Sequence, residues 1–132
     1  MADKILADTS ILIDLQKGED NTILTFDKIK ELACISRITA CEFIYGSTSK
    51  KEKHVNKDFI ERLEIIDISE EISKYAYFLL DKYNLGIKFG ISDAIIAATA
   101  ITRGYMLWTR NLKHFKRIKE LKLFQEDITP KS

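Results

Sequence analysis

Short apolar runs separated by longer stretches of helical spacing constrain this chain more than any other feature. The runs are residues 4–8 (KILAD), 33–36 (ACIS), 64–68 (EIIDI), 105–109 (YMLWT) and 121–124 (LKLF). The first is apolar on both faces, as a strand buried inside a parallel sheet must be. Parallel neighbours cannot be joined by a tight hairpin and need a crossover, usually a helix. Strands alternating with helices therefore imply a sheet covered on both sides. The expected fold is α/β: a three-layer α/β/α sandwich around a short, mainly parallel sheet of four to five strands. A chain of 132 residues has room for one domain. It is expected over residues 1–128, with a frayed tail at 129–132.

Pro130 and five glycines are all that punctuate the sequence, so most intervening segments should be helical. Thr9 or Ser10 is placed to cap a helix that runs to about Lys17 and ends at Gly18. Asp20 or Asn21 opens a second, with Ile23, Leu24, Ile29 and Leu32 as its inward face. A third runs from about Arg37 to Ser47. The basic, polar stretch from Lys50 to Lys57 follows, and helical spacing resumes near Phe59. Ser69 caps a helix to about Asn84 that stops at Gly86, with Ile72, Ala76, Leu79 and Tyr83 facing inward. Ser92 or Asp93 opens an alanine-rich helix ended by Gly104, and residues 112–118 form a last short one.

Composition narrows the function classes. Hydrophobic residues make up 45% and charged residues 31% of the chain, which excludes a disordered polymer. No apolar run approaches the roughly 20 residues of a membrane helix, and the N-terminus carries no signal-peptide pattern. A formal net charge of +1 excludes gripping nucleic acid by bulk charge, but leaves room for a local basic patch. Cys34 and Cys41, each among apolar neighbours, read as reduced core thiols of a cytoplasmic protein.

The motifs of common chemistries are missing: no glycine-rich phosphate loop, no zinc spacing, no serine elbow. His54 and His114 sit in lysine-rich surroundings and read as solvated surface. Carboxylates remain. Asp81 faces away from its helix's apolar stripe, Asp14 sits at a margin, and Asp67 reads as a strand end. Three acids stand out. Asp8 ends the buried strand 5–7, where parallel sheets bind ligands. Glu42 shares a helical stripe with Ile38 and Tyr45, a costly place for an unpaired charge. Asp93 opens a helix that also carries Ala97 and Ala100 on the same face. If these converge, they make an all-oxygen site suited to Mg²⁺ or Mn²⁺, the ions of phosphoryl chemistry.

Four segments carry a family resemblance: residues 7–13 (ADTSILI), 35–46 (ISRITACEFIYG), 91–100 (ISDAIIAATA) and 107–115 (LWTRNLKHF). In this order they resemble the motifs of PIN-domain ribonucleases, and the compact length resembles the VapC-type toxins of toxin–antitoxin pairs. The resemblance implies a metal-dependent endoribonuclease, with Asp8, Glu42 and Asp93 as metal-binding carboxylates and Mg²⁺ or Mn²⁺ as cofactor. Many relatives place a fourth acid in the last motif. Here that stretch offers Asn111 and His114, so Asn111 is the candidate for the fourth position. Thr9 and Thr109 are candidates for holding the carboxylates.

Basic residues then gain a place around the acids. Lys50, Lys51, Lys53 and Lys57 follow the second motif; Arg110, Lys113, Lys116, Arg117 and Lys119 follow the fourth. Of these, Lys50, Lys51, Arg110, Lys113 and Lys116 are the expected RNA contacts, and looped or single-stranded RNA the expected substrate. The partners implied are an antitoxin protein and a second copy of the chain, with Ile13, Ile44 or Tyr45 extending an apolar patch. Two alternatives stay open: a PIN nuclease of RNA processing without an antitoxin, and a degenerate PIN binding module.

Overall fold

The structure, a computed structural model, describes residues 3–85 and 88–126. The expected tail and the Gly86 stop lie outside them. In chain order the elements are β1 (Ile5–Ala7), α1 (Thr9–Lys17), α2 (Asp20–Ile29), β2 (Ala33–Ser36), α3 (Arg37–Tyr45) and α4 (Lys50–Ile60). Then come β3 (Glu64–Ile66), α5 (Glu70–Tyr83), α6 (Ile91–Arg103), β4 (Met106–Trp108) and α7 (Leu112–Phe115). The sheet order is β3-β2-β1-β4, and all pairings are parallel. Residues 121–124 add only a bridge from Leu123 to Leu107 rather than a fifth strand.

Strand side chains alternate between two cores, as the pleat requires. Ile5, Ala7, Ile35 and Trp108 point to the face covered by α1 to α4, with Ile11, Leu12, Ala40, Phe43 and Ile60. Leu6, Cys34, Ile66 and Leu107 point to the other, with α5 to α7. There Ile72, Ala76 and Leu79 of α5 meet the alanine face of α6. Small alanines let α6 lie close to both the sheet and α5.

The topology places a ligand crevice. From β1 the chain steps to β2 and β3 on one side, then returns to lay β4 on β1's other side. Ligands bind at such switch points, beyond the carboxyl ends of the strands. The register pairs Ala7 with Trp108, so Asp8 and Thr109 leave the sheet side by side at the switch.

Three local expectations change. The inward face of α2 is Thr22 and Thr25, with Phe26 and Ile29 partly buried, while Leu24 is 55% exposed. The helix is rotated because Glu19 caps it and accepts hydrogen bonds from the backbone and hydroxyl of Thr22. The basic stretch after Lys50 is itself helical: Ser49 caps α4, and Glu52 reaches back to the backbone and hydroxyl of Thr48. Cys34 is buried but Cys41 is exposed, because α3 turns Ala40 and Phe43 to the core instead. Burial pushes the Cys34 thiol up to about 11, so it is not a nucleophile. Among the described residues, no helix is long and apolar enough to cross a membrane.

Gly104 ends α6 with φ of 73° and no atom within 4 Å of where a Cβ would sit. Any penalty there is backbone strain, not crowding. Gly46 ends α3 with φ of −77°. Gly104→Ala is expected to lower stability by about 1 kcal/mol and Gly46→Ala by less than about half of that, measured by chemical denaturation.

Candidate active site

Asp8 is the N-cap of α1 and is 2% exposed. Its Oδ1 accepts hydrogen bonds from the Ser10 backbone N–H at 3.0 Å and from the Ser10 hydroxyl. Its Oδ2 accepts from the Thr109 hydroxyl. The Asp8 N–H donates to the Trp108 carbonyl at 3.1 Å, locking β1's exit to β4's. Burial pushes the Asp8 carboxyl above its ordinary value, and the bonds from Ser10 and Thr109 pull it partly back. Among the described residues, no basic side chain pairs with Asp8 or Glu42.

Glu42 lies half-buried on α3, and its Oε1 accepts from the Thr9 hydroxyl at 2.8 Å. It is not on the core stripe: Tyr45, grouped with it by spacing, is 92% exposed. Thr39, Ala40 and Phe43 form the buried face, which leaves Glu42 at the margin beside α1. Asp93 sits in the first turn of α6 and accepts from the Gly90 N–H at 3.2 Å. Its Oδ2 also lies 3.0 Å from Nδ1 of His114, close but out of line for a hydrogen bond. His114 thus sits against an acid rather than in solvent. Asn111 precedes α7 with no side-chain cap bond, and its N–H donates to the Thr109 hydroxyl at 2.9 Å.

These contacts string the sequence candidates along the carboxyl edge of the sheet. Thr9, the residue after Asp8, bonds Glu42; Thr109 links Asp8 to Asn111; and α7 brings His114 to Asp93. Among the described residues, no three of His, Cys, Asp and Glu stand close enough together to form a ready metal ligand set. The donor chemistry nonetheless fits a hard dication. Asp8 and Glu42 are oxygen donors without a cationic partner among the described residues, and Asp8 is buried.

Ser10 was missed as a site residue. The signal was an aspartate two positions before a serine at a strand-to-helix junction, which is an N-cap pattern. Arg110, expected as an RNA contact, is otherwise engaged. Its guanidinium bonds Asp14 at 2.8 Å, Thr22 and Glu126. Side chains of α1, α2 and the C-terminal segment meet there, which its lysine-rich sequence neighbours do not disclose. Lys113 and Lys116 are exposed around α7. Lys53 and Lys57 line a groove of about 570 Å³ with Arg37, Cys41, Ile44 and Tyr45. Lys50 borders a shallower depression beside it, and Lys51 is exposed on α4.

Comparison with known proteins bears on what this edge does. Residues 5–121 match the PIN domain. Ribonuclease VapC1 of Methanocaldococcus jannaschii is 41% identical over 123 residues, covering 91% of this chain and 85% of that protein. The chain belongs to the VapC ribonucleases of the PIN-domain family. Among other VapC proteins, the tRNA(fMet)-specific endonuclease VapC of Salmonella typhimurium is 29% identical, over 91% of this chain and 96% of its own length. A toxin–antitoxin complex from Klebsiella pneumoniae superposes with a TM-score of 0.77 and 31% identity, covering 89% of this chain and 95% of that one. The VapC fold thus accounts for the four-stranded parallel sheet.

The buried charge of Asp8 has a measurable consequence. At acid pH the carboxyl is protonated in both folded and unfolded chains and costs nothing. As pH rises through its raised folded-state pKa, the wild type loses stability. Asp8→Asn escapes that loss, so it should melt about 3 °C higher than wild type near neutral pH, metal-free. The gap should close near about pH 3, below the ordinary carboxylate range. Parallel melting curves across pH test this; a gap that widens on acidification would contradict it.

Proposed function

We propose that this VapC-family ribonuclease hydrolyses phosphodiester bonds in RNA with a divalent ion, Mg²⁺ or Mn²⁺, held by Asp8, Glu42 and Asp93. The observation that carries the reading is Asp8: a buried carboxylate with no cationic partner among the described residues, oriented by two hydroxyls at the switch point of the sheet. Such an anion is costly unless a cation completes it. When bound, the ion supplies an activated water near neutral pH and neutralises charge on the phosphate.

The protein's own groups do the rest. Ser10 and Thr109 fix both Asp8 oxygens, so the carboxylate needs no reorientation. Thr9 holds Glu42, whose second oxygen is left for the ion or for a water. Gly90 and His114 border Asp93. Asn111 offers a neutral carbonyl where many relatives carry an acid, a weaker anchor for a second ion. In-line attack then leaves 5′-phosphate and 3′-hydroxyl ends.

RNA presenting a single-stranded loop is the proposed substrate class, and the name of the Salmonella relative supports tRNA as a member. Lys113 and Lys116, exposed around α7, are the proposed phosphate contacts; Lys50 and Lys51 extend that role along α4. The cytoplasm is the compartment where such a substrate and two free thiols coexist. The Klebsiella complex supports an antitoxin partner. The α3–α4 groove, lined by Ile44, Ile60, Ile65 and Tyr45, is the proposed seat of an amphipathic antitoxin segment. A homodimer is proposed through the remaining apolar surface. Ile13 is 37% exposed, and Tyr77 and Phe78 of α5 are 69% and 45% exposed.

Cleavage of labelled RNA with Mg²⁺ or Mn²⁺ tests the reading. Asp8→Asn, Glu42→Gln and Asp93→Asn should each lose at least about a hundredfold in rate while remaining folded. Asn111→Ala should lose much less, because it removes a dipole and not a charge. Folded carboxylate variants with wild-type rates would overturn the assignment.

A further inference from the structure

Arg110 combines two sets of contacts that meet at the site. Its guanidinium is an anchor. Nε donates to Asp14 of α1 at 2.8 Å, Nη2 donates to the hydroxyl of Thr22 on α2, and Nη1 donates to Glu126 of the C-terminal segment. Glu19, the cap of α2, lies 4.0 Å away. Glu126 also accepts from Trp108 Nε1 at 2.6 Å, tying the same cluster to β4. Its main chain is a lever. The Arg110 N–H donates to the Ser10 hydroxyl at 2.9 Å, and that hydroxyl donates to Oδ1 of Asp8. The preceding residue, Thr109, donates its hydroxyl to Oδ2 of Asp8.

Both oxygens of Asp8 are therefore held by hydroxyls tied to the main chain at Arg110: Thr109 precedes it, and Ser10 accepts from its N–H. The hydroxyl of Ser10 has a single proton. Accepting from the Arg110 N–H turns that proton toward Asp8. If the loop after β4 slipped, Ser10 would be free to rotate and Thr109 would move away. The carboxylate would then keep its burial but lose its aim. An arginine fork suits the anchoring role because its planar donors reach several acceptors at once. Three carboxylates surround this one cation, so an approaching phosphate meets net repulsion there.

Resting on the proposed metal-dependent reading, we propose that Arg110 is a positioning residue for the reaction. It clamps the loop after β4 onto α1, α2 and the C-terminal segment, so that Ser10 and Thr109 hold Asp8 in its working orientation. It does not contact RNA.

Four variants, Arg110→Met, Arg110→Lys, Asp14→Asn and Asp8→Asn, separate the possibilities. The readouts are kcat and KM on RNA, the salt dependence of KM, Mn²⁺ affinity of the RNA-free protein by calorimetry, and melting temperature. Positioning is supported if Arg110→Met lowers kcat about tenfold or more with KM within about twofold. Mn²⁺ affinity should fall severalfold and the salt slope stay unchanged. Arg110→Lys, which keeps charge but not the fork, should resemble Arg110→Met. Asp14→Asn, which loosens the clamp from α1 without touching the loop, should lower kcat in the same way and carries the test if Arg110→Met fails to fold.

A raised KM with unchanged kcat and a shallower salt slope would make Arg110 an RNA contact and overturn the proposal. In that case Asp14→Asn should tighten RNA binding instead. A lowered melting temperature with kcat and Mn²⁺ affinity intact would make the cluster merely structural and also overturn it. Wild-type activity in folded Asp8→Asn would instead defeat the metal-site reading, a distinct result.

Discussion

A carboxylate buried without a counter-charge is the constraint around which this structure is arranged. Asp8 emerges from the central strand of a parallel sheet at the point where strand order reverses. Water cannot solvate it there, and among the described residues no lysine or arginine neutralises it. What keeps it ionisable are short-range donors: the Ser10 backbone and hydroxyl, and the Thr109 hydroxyl. Hydroxyls stabilise the anion only partly, which is why its pKa remains raised. The remaining deficit is what a hard cation would fill.

Much of the surrounding fold follows from that requirement. The parallel pairing of β1 with β4 puts Thr109 beside Asp8. The helix that begins at Asp8 brings Ser10 back onto it and places Thr9 against Glu42. The alanine face of α6 lets that helix pack closely, with Asp93 in its first turn. Basic residues divide by location. Arg110 is drawn into an acidic cluster and braces the loop, while Lys113 and Lys116 stay exposed beside it. A site proposed to hold a dication would work better if its fixed cations kept their distance.

The sheet, most of the helices and the position of Asp8 were legible because they rest on local pattern. Apolar runs, caps and glycine stops are written in consecutive residues. The αL turns at Gly18 and Gly104 are examples, as is the Ser69 cap of α5. The family motifs pointed to Glu42 and Asp93, which periodicity alone could not bring to Asp8. What stayed hidden depends on which local cap or helix face wins, or on segments far apart in sequence. The rotation of α2 follows from the Glu19–Thr22 cap, and the role of Arg110 follows from acids at positions 14, 19 and 126. His114 looked like surface because its neighbours are lysines, yet it meets Asp93 across two helices. Cys41 looked buried because its sequence neighbours are, although the helix turns it outward.

The most direct test of the central claim is the thermal shift produced by Mn²⁺ on the RNA-free protein, wild type against Asp8→Asn. A ligand that binds only the folded chain stabilises it by about 2.7 kcal/mol at a hundred times its dissociation constant, several degrees for a domain of this size. The expected result is a clear upward shift in the wild type and little or none in the variant. An equal shift in both proteins, or none in the wild type, would contradict the claim that Asp8 is the buried charge a metal ion completes.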